Sequence, residues 1–302
     1  MDIERCKEFV VLARTRNYLK ASEQLFISQS SLSKHIKSME KELGVTLFTR
    51  STRYVDLSPA GRVFLPYAQK IVRINYEMMA ALSDVEDNEL HVLDIGSIPV
   101  MVPYGITGIM ARYEHDNPTE RIQLYEGDAD ELREMLRQGK LELAFIREWD
   151  GDAAKDSGDE EFATVPFAED QLVAVLPVDH PLAGHTKLKL GELADEDFLL
   201  LPKGSVMQAL ILDACAVEGF VPRVRYQGKR AENIIDLVGR GMGVSLLMRK
   251  PAEYLATHDV VLVDIEPTVT TEIKIYRLRS GELTPQAERF LAAAAVYRES
   301  AK

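Results

Sequence analysis

The sequence is poor in cysteine and has no long apolar runs. Its 302 residues hold two cysteines, Cys6 and Cys215. That is too few, and too widely separated, for a disulfide framework or a metal-ligand spacing, so both read as buried hydrophobes and zinc-finger folds are excluded. Apolar stretches such as Val244 to Met248 fall far short of the roughly 20 residues that a membrane-spanning helix needs. The opening Met1-Asp2-Ile3-Glu4-Arg5 lacks the continuous apolar segment of a secretory signal, so the expected compartment is the cytoplasm, with no membrane partner. No GxSxG, Walker, HExxH or Rossmann fingerprint occurs. His35, His91, His115, His180, His185 and His258 are scattered without ligand spacing. Neither catalytic residues nor a metal or cofactor is expected.

Length and composition, 46% apolar and 28% charged, suit two globular domains. The net charge of -12 argues at first against nucleic acid, but it is unevenly spread. Residues 1–76 carry 13 Lys and Arg against 7 Asp and Glu, whereas residues 77–302 carry 23 against 41. A basic head can meet a polyanion while the acidic body repels it.

In the head, Ile3, Cys6, Phe9, Val10 and Ala13 recur at helical spacing behind Asp2, a good N-cap. A second helix is expected from Tyr18 to Phe26. A third begins near Ser28, buries Leu32, Ile36, Met39 and Leu43, and ends at Gly44. The inward residues leave Gln29, Ser30, Ser33, Lys34 and Lys37 along one exposed side. Gln can pair with adenine, Ser can serve bases or phosphates, and Lys neutralises phosphates. Alone, such a pattern is more often only a solvated helix face. A preceding helix with a short turn, and a following basic hairpin with Arg50 and Arg53, make the unit a mainly α winged helix-turn-helix.

From Ser58-Pro59 a long helix is expected. Phe64, Ala68, Ile71, Asn75, Met78, Leu82 and Val85 form a heptad seam with one polar position, which predicts pairing with a second copy of the chain; the alternative is that the stripe packs on its own domain. Pro66 inside it predicts a kink. Beyond Asp87, strands alternate with helices as in a parallel α/β sheet.

The residues Ala21, Ser28-Gln29-Ser30-Ser31-Leu32-Ser33, Ile36, Glu40, Leu43-Gly44, Leu47-Phe48, Arg50, Arg53, Leu57 and Pro59-Ala60-Gly61 together resemble the LysR-type transcriptional regulators. The family often has Pro or Ala where Ser30 and Ser31 stand, a departure that bears on base preference and not on fold. The resemblance implies a winged helix-turn-helix at 1–58, a linker and dimerisation helix at 59–87, and at 88–302 a two-lobed α/β effector domain similar to periplasmic solute-binding proteins. Residues 88–161 with 268–302 would form one lobe and 162–267 the other, with a small-molecule effector between them.

The strand-to-helix turns at Ser97 and Pro202-Lys203-Gly204-Ser205 offer backbone N–H groups and hydroxyls that favour an anion such as a carboxylate, with Arg147 as a charge partner. On the other reading Ser97 and Ser205 only cap helices and Arg147 pairs with a surface carboxylate. The implied function is DNA-binding transcription regulation by a homo-oligomer, dimer or tetramer, acting on double-stranded DNA. A solute-binding protein without regulatory role is the alternative, though it has no use for a basic head. A peroxide-sensing mechanism built on two cysteines of the second lobe is not supported, since Cys215 stands alone there.

Overall fold

The computed structural model of the chain describes residues 2–50, 55–86, 91–149, 161–281 and 283–300. It divides into two compact units, residues 1–90 with 134–140 and residues 91–133 with 141–302.

The head is a run of short helices, each started by a polar cap. Asp2 accepts from the Arg5 N–H to open α1 (Ile3–Thr15). Asn17 accepts from Leu19 and Lys20 to open α2 (Tyr18–Gln24), and Ser28 accepts from Ser31 to open α3 (Gln29–Leu43). Each cap supplies an acceptor for amides that have no partner in their own helix. Gly44, at φ 70°, ends α3 in the left-handed conformation. Phe9, Leu12, Leu32, Ile36, Met39 and Leu47 form a fully buried core.

Strands β1 (Phe48–Arg50) and β2 (Val55–Leu57) pair antiparallel, with Arg50 opposite Val55. Glu40 ties this hairpin to α3: its Oε1 accepts from Leu47 N–H at 2.8 Å and Phe48 N–H at 3.2 Å. Ser58 then donates to the Thr46 carbonyl at 2.5 Å and accepts from Gly61 N–H at 2.9 Å. A Cβ on Gly61 would lie 2.1 Å from the Leu47 carbonyl oxygen, so the approach of α4 (Pro59–Glu86) requires glycine there.

Helix α4 is unbroken across Pro66. Its first half serves its own head. Ala68 and Val72 are buried in the head core, Phe64 and Ile71 are partly buried against it, and the Phe64 ring sits 4.9 Å from that of Phe9. Phe64 and Ile71 were expected on an intermolecular seam but pack on their own head, whereas Met78, expected on the same seam, is exposed, as are Val63, Tyr67 and Ile74. Leu82 lies on α4, but its side chain is outside the described residues.

The body has a mixed sheet where a parallel one was expected. Strands β3 (His91–Ser97), β4 (Glu120–Glu126) and β5 (Leu143–Glu148) are parallel. The sixteen-residue β6 (Phe162–Pro177) spans both lobes. Its first part pairs antiparallel with the later strand at Thr270–Leu278, which also pairs antiparallel with β5. Residues 162–171 thus extend the first lobe's sheet, although the sequence placed them in the second. The remainder of β6 pairs antiparallel with strands at Ser245–Met248 and Val260–Glu266. In chain order β7 (Lys187–Lys189), β8 (Asp197–Leu200), β9 (Arg223–Gln227), β10 (Ser245–Met248), β11 (Val260–Glu266) and β12 (Thr270–Leu278) complete the strands. The helices are α5 (Ile106–Asp116), α6 (Ala129–Arg137), α7 (Val206–Val217), α8 (Ala231–Gly239), α9 (Arg249–Leu255) and α10 (Pro285–Ser300). Gly105, at φ 72°, separates a turn at Val102–Tyr104 from α5.

One core gathers Leu93, Ile95, Phe145 and Phe290. In the second lobe, Leu172, Ala174 and Leu176 face one cluster while Val173 and Val175 face another. Both faces of β6 are therefore covered there, which is why Leu172 to Leu176 is continuously apolar. No described helix is long and apolar enough to cross a membrane. Gly61→Ala should destabilise the head by about 1–3 kcal/mol through the clash with Leu47, seen as a lower urea midpoint; an unchanged midpoint would show that the α4 approach yields freely.

Candidate DNA-reading and effector sites

Burial of Leu32, Ile36 and Met39 turns the opposite side of α3 to solvent. Gln29, Ser30, Lys34 and Lys37 are exposed and Ser33 is half-buried. The Ser28 cap oxygen lies 2.9 Å from Ser30 Oγ and 2.8 Å from Ser31 Oγ, so hydroxyls cluster at the helix start. Gln29, Ser33, Lys34 and Lys37 make no side-chain hydrogen bond or ion pair among the described residues. His35 belongs to the structural side: its Nδ1 is 2.8 Å from Oε1 of the buried Glu8, which holds α3 to α1. The result is a rigid helix with free donors along one face, in a unit of net positive charge. Such a helix fits a DNA major groove. Arg50 ends β1, with its side chain outside the described residues; Arg53 lies outside them altogether.

The body carries a cleft-like cavity of about 280 Å³, open to solvent. Ile98, Pro99 and Val100 line it after β3, and Arg147 lines it at the end of β5. Leu201, Met207, Leu247 and Met248 make the facing wall apolar. Ala129, Val206 and Ala231, the first residues of α6, α7 and α8 or the next to it in the chain, bring three helix N-termini to the rim. Such termini favour negative charge; that of α6 already has Asp128, whose Oδ1 accepts from Glu131 N–H at 2.9 Å, and that of α7 has the Ser205 cap.

Arg147 is buried and already engaged. It donates to Thr271 Oγ1 and to the Tyr104 hydroxyl, both at 2.6 Å. Tyr104 in turn donates to Asp170 Oδ2 at 2.5 Å, and Asp170 accepts from the backbone amides of Gln171 and Lys250. Burial first, and Asp170 beside it, push the Tyr104 phenol up from its ordinary value against the opposing pull of Arg147. Lys229 supplies a second cation at the cavity, with no ion pair among the described residues.

Residues 3–62 match the family described as bacterial regulatory helix-turn-helix protein, lysR family, and residues 87–296 match the LysR substrate binding domain. The chain belongs to the LysR family of transcriptional regulators. This LysR-type regulator is 32% identical to the HTH-type transcriptional regulator ShiR of Corynebacterium glutamicum, over 93% of this chain and 92% of that one. It is also 32% identical to a Mycobacterium avium protein named "Probable hydrogen peroxide-inducible genes activator", over 80% of this chain and 76% of the relative. A solved LysR family regulator from Pseudomonas aeruginosa superposes with a TM-score of 0.59 at 28% identity, covering 100% of this chain and 99% of that one. The protein is thus a DNA-binding transcription regulator with a small-molecule effector domain.

Of the residues expected at the regulator's effector site, Arg147 and Ser205 line one cavity and Ser97 does not. Ser97 is fully buried, and its hydroxyl donates to the Ile98 carbonyl at 3.1 Å, because the last residue of β3 points into the sheet packing. Ser205 caps α7, accepting from Gln208 N–H at 3.2 Å. Tyr104, Asp170, Lys229 and Thr271 were missed in the sequence. No local motif links them, since Thr271 meets Arg147 across 124 positions. Tyr104→Phe removes the hydroxyl between Arg147 and Asp170 and should cost the body about 1–3 kcal/mol at neutral pH. A phenol held above its ordinary 10.0 stabilises the fold below that pH and loses this contribution as pH rises past it. The Phe variant should therefore show a shallower alkaline decline in chemical denaturation.

Proposed function

We propose that α3 reads base edges in the major groove through Gln29, Ser30, Ser33 and Lys34, while Lys37, Arg50 and Arg53 hold the phosphate backbone or enter the minor groove. The observation that carries this is the unpartnered polar face of a capped, core-anchored helix. The cavity takes a small carboxylate with an apolar body: helix N-termini, Lys229 and Arg147 meet the charge, and Met207, Leu247 and Met248 meet the rest. Ser205 offers its backbone and cap; Ser97 acts only through the strand end it completes.

The regulator works in the cytoplasm as a homo-oligomer, its output a change in DNA binding and not a chemical conversion. Asn75 and Met78 lie on α4 beyond the part that serves the head, and with exposed Ile74 they offer the pairing surface, to which the heptad spacing adds position 82. A peroxide response of the kind named for the M. avium relative finds no support here. Burial pushes the Cys215 thiol up to about 12 and raises that of Cys6, so neither is a reactive thiolate at neutral pH.

Using duplex DNA recovered by selection from a randomised pool, Gln29→Ala should cost roughly 1–3 kcal/mol and relax preference at one base position, whereas Arg53→Ala should weaken all sequences alike and flatten the salt dependence. Unchanged affinity and salt slope in the double variant would refute the α3 reading. Charging Ile74 and Met78 to Glu should separate protomers in sedimentation without unfolding the head, which changing Ile71 would disturb. An intact oligomer would remove α4 from the interface.

A further inference from the structure

Phe26 is the most exposed large apolar side chain among those described, at 96%. It stands in the turn between α2 and α3, two residues before the N-cap of the reading helix. Its backbone is in the left-handed region at φ 53°, which glycine adopts freely and a side chain with a Cβ does not. The turn is otherwise well determined. Phe26 N–H donates to the Glu23 carbonyl at 3.3 Å and Ile27 N–H to the Ser22 carbonyl at 3.1 Å, while Leu25 and Ile27 pack on the head core. The other phenylalanines of the head are absorbed in that core: Phe9 lies 5.1 Å from Phe48 and 4.9 Å from Phe64. Phe26 therefore combines an unfavourable backbone conformation with full exposure of its ring, and nothing within the described head compensates for either.

We propose that Phe26 is a DNA contact, its ring covering the 5-methyl group of a thymine at the edge of the major groove entered by α3. The position supports this occupant. The turn leads into the N-terminal end of a reading helix, the end that approaches bases, and the surrounding unit is the basic part of the chain. Phe can meet a thymine methyl by apolar contact. The rigid turn means the ring is presented without further ordering, so its desolvation is realised only on the duplex. This inference rests on the reading of α3 and adds to it a base contact of apolar chemistry.

The probe is the selected duplex, titrated at several salt concentrations. Phe26→Ala should bind it roughly 10-fold more weakly, in line with loss of a buried aromatic contact. The slope of log affinity against log salt should not change, because no phosphate charge is involved. Phe26→Gly, which frees the backbone, should be at least as heat-stable as Phe26→Ala and bind as weakly, whereas Phe26→Leu should recover part of the affinity. Replacing thymines one at a time by deoxyuridine, which lacks the methyl, should weaken the wild type at one position and leave Phe26→Ala indifferent there. Wild-type affinity in the Ala and Gly variants overturns the proposal, and so does a loss that no deoxyuridine position reproduces. If Gln29→Ala still weakens binding when the Phe26 variants do not, only this inference fails; if both are silent, the α3 reading fails with it.

Discussion

The body depends on the antiparallel pairing of β6 with β12. Register runs from Phe162 opposite Leu278 to Gln171 opposite Thr270, and it is through these two strands that the chain passes between lobes. Two adjacent connections that run in opposite directions must pair antiparallel, so the alternation of strands and helices could not yield an all-parallel sheet. The same pairing brings Asp170 and Thr271, opposite each other on β6 and β12, to the boundary. Arg147 and Tyr104 close on them from β5 and the turn before α5. The polar network at the cavity is thus a product of the crossing strands and is buried with its partners satisfied, the condition under which buried polar groups are tolerated.

On the proposed reading, that network bears on what an effector can do. A regulator changes state only if its ligand binds one arrangement of the lobes better than another. Wall residues from before and after β6 line the same cavity: Ile98 and Arg147 on one side, Leu201 and Met248 on the other. A ligand spanning them gains most when both sides reach it. Thr271, bonded to Arg147, also lies 3.2 Å from the Met248 sulfur, so the cation and the apolar wall share a neighbour on β12. Rearrangement of one is felt by the other.

Much of the head was legible because its decisive interactions are local. Asp2, Ser28 and Gly44 act within a few positions of the ends they fix, and Leu32, Ile36 and Met39 form a stripe whose period is the helix itself. The seam was only partly legible: Phe64, Ala68 and Ile71 have the spacing of an intermolecular stripe, and the same spacing suits a helix packed on α1. The first part of β6 was not legible. Thr164 to Asp170 shows no clean alternation and contains Pro166, and the register shifts next to it, opposite Ile273 and Lys274, as at a bulge. The burial of Ser97 was not legible, because a serine at a strand end looks the same whether it faces a ligand or the packing behind it.

Charge at the cavity is less simple than the count of cations implies. Arg147 already serves two acceptors, Thr271 and Tyr104, and Tyr104 passes the interaction on to Asp170. An anion that draws the guanidinium away from Thr271 and Tyr104 weakens those two bonds, whereas one that meets its remaining N–H groups does not. Lys229 carries no such cost, since it is exposed and has no ion pair among the described residues. The helix N-termini are likewise fixed in advance. On the proposed reading the free cation supplies affinity, while the bonds that hold Arg147 to Thr271 and Tyr104 are where a ligand distinguishes one lobe arrangement from another; only such a differing term converts binding into a change of state.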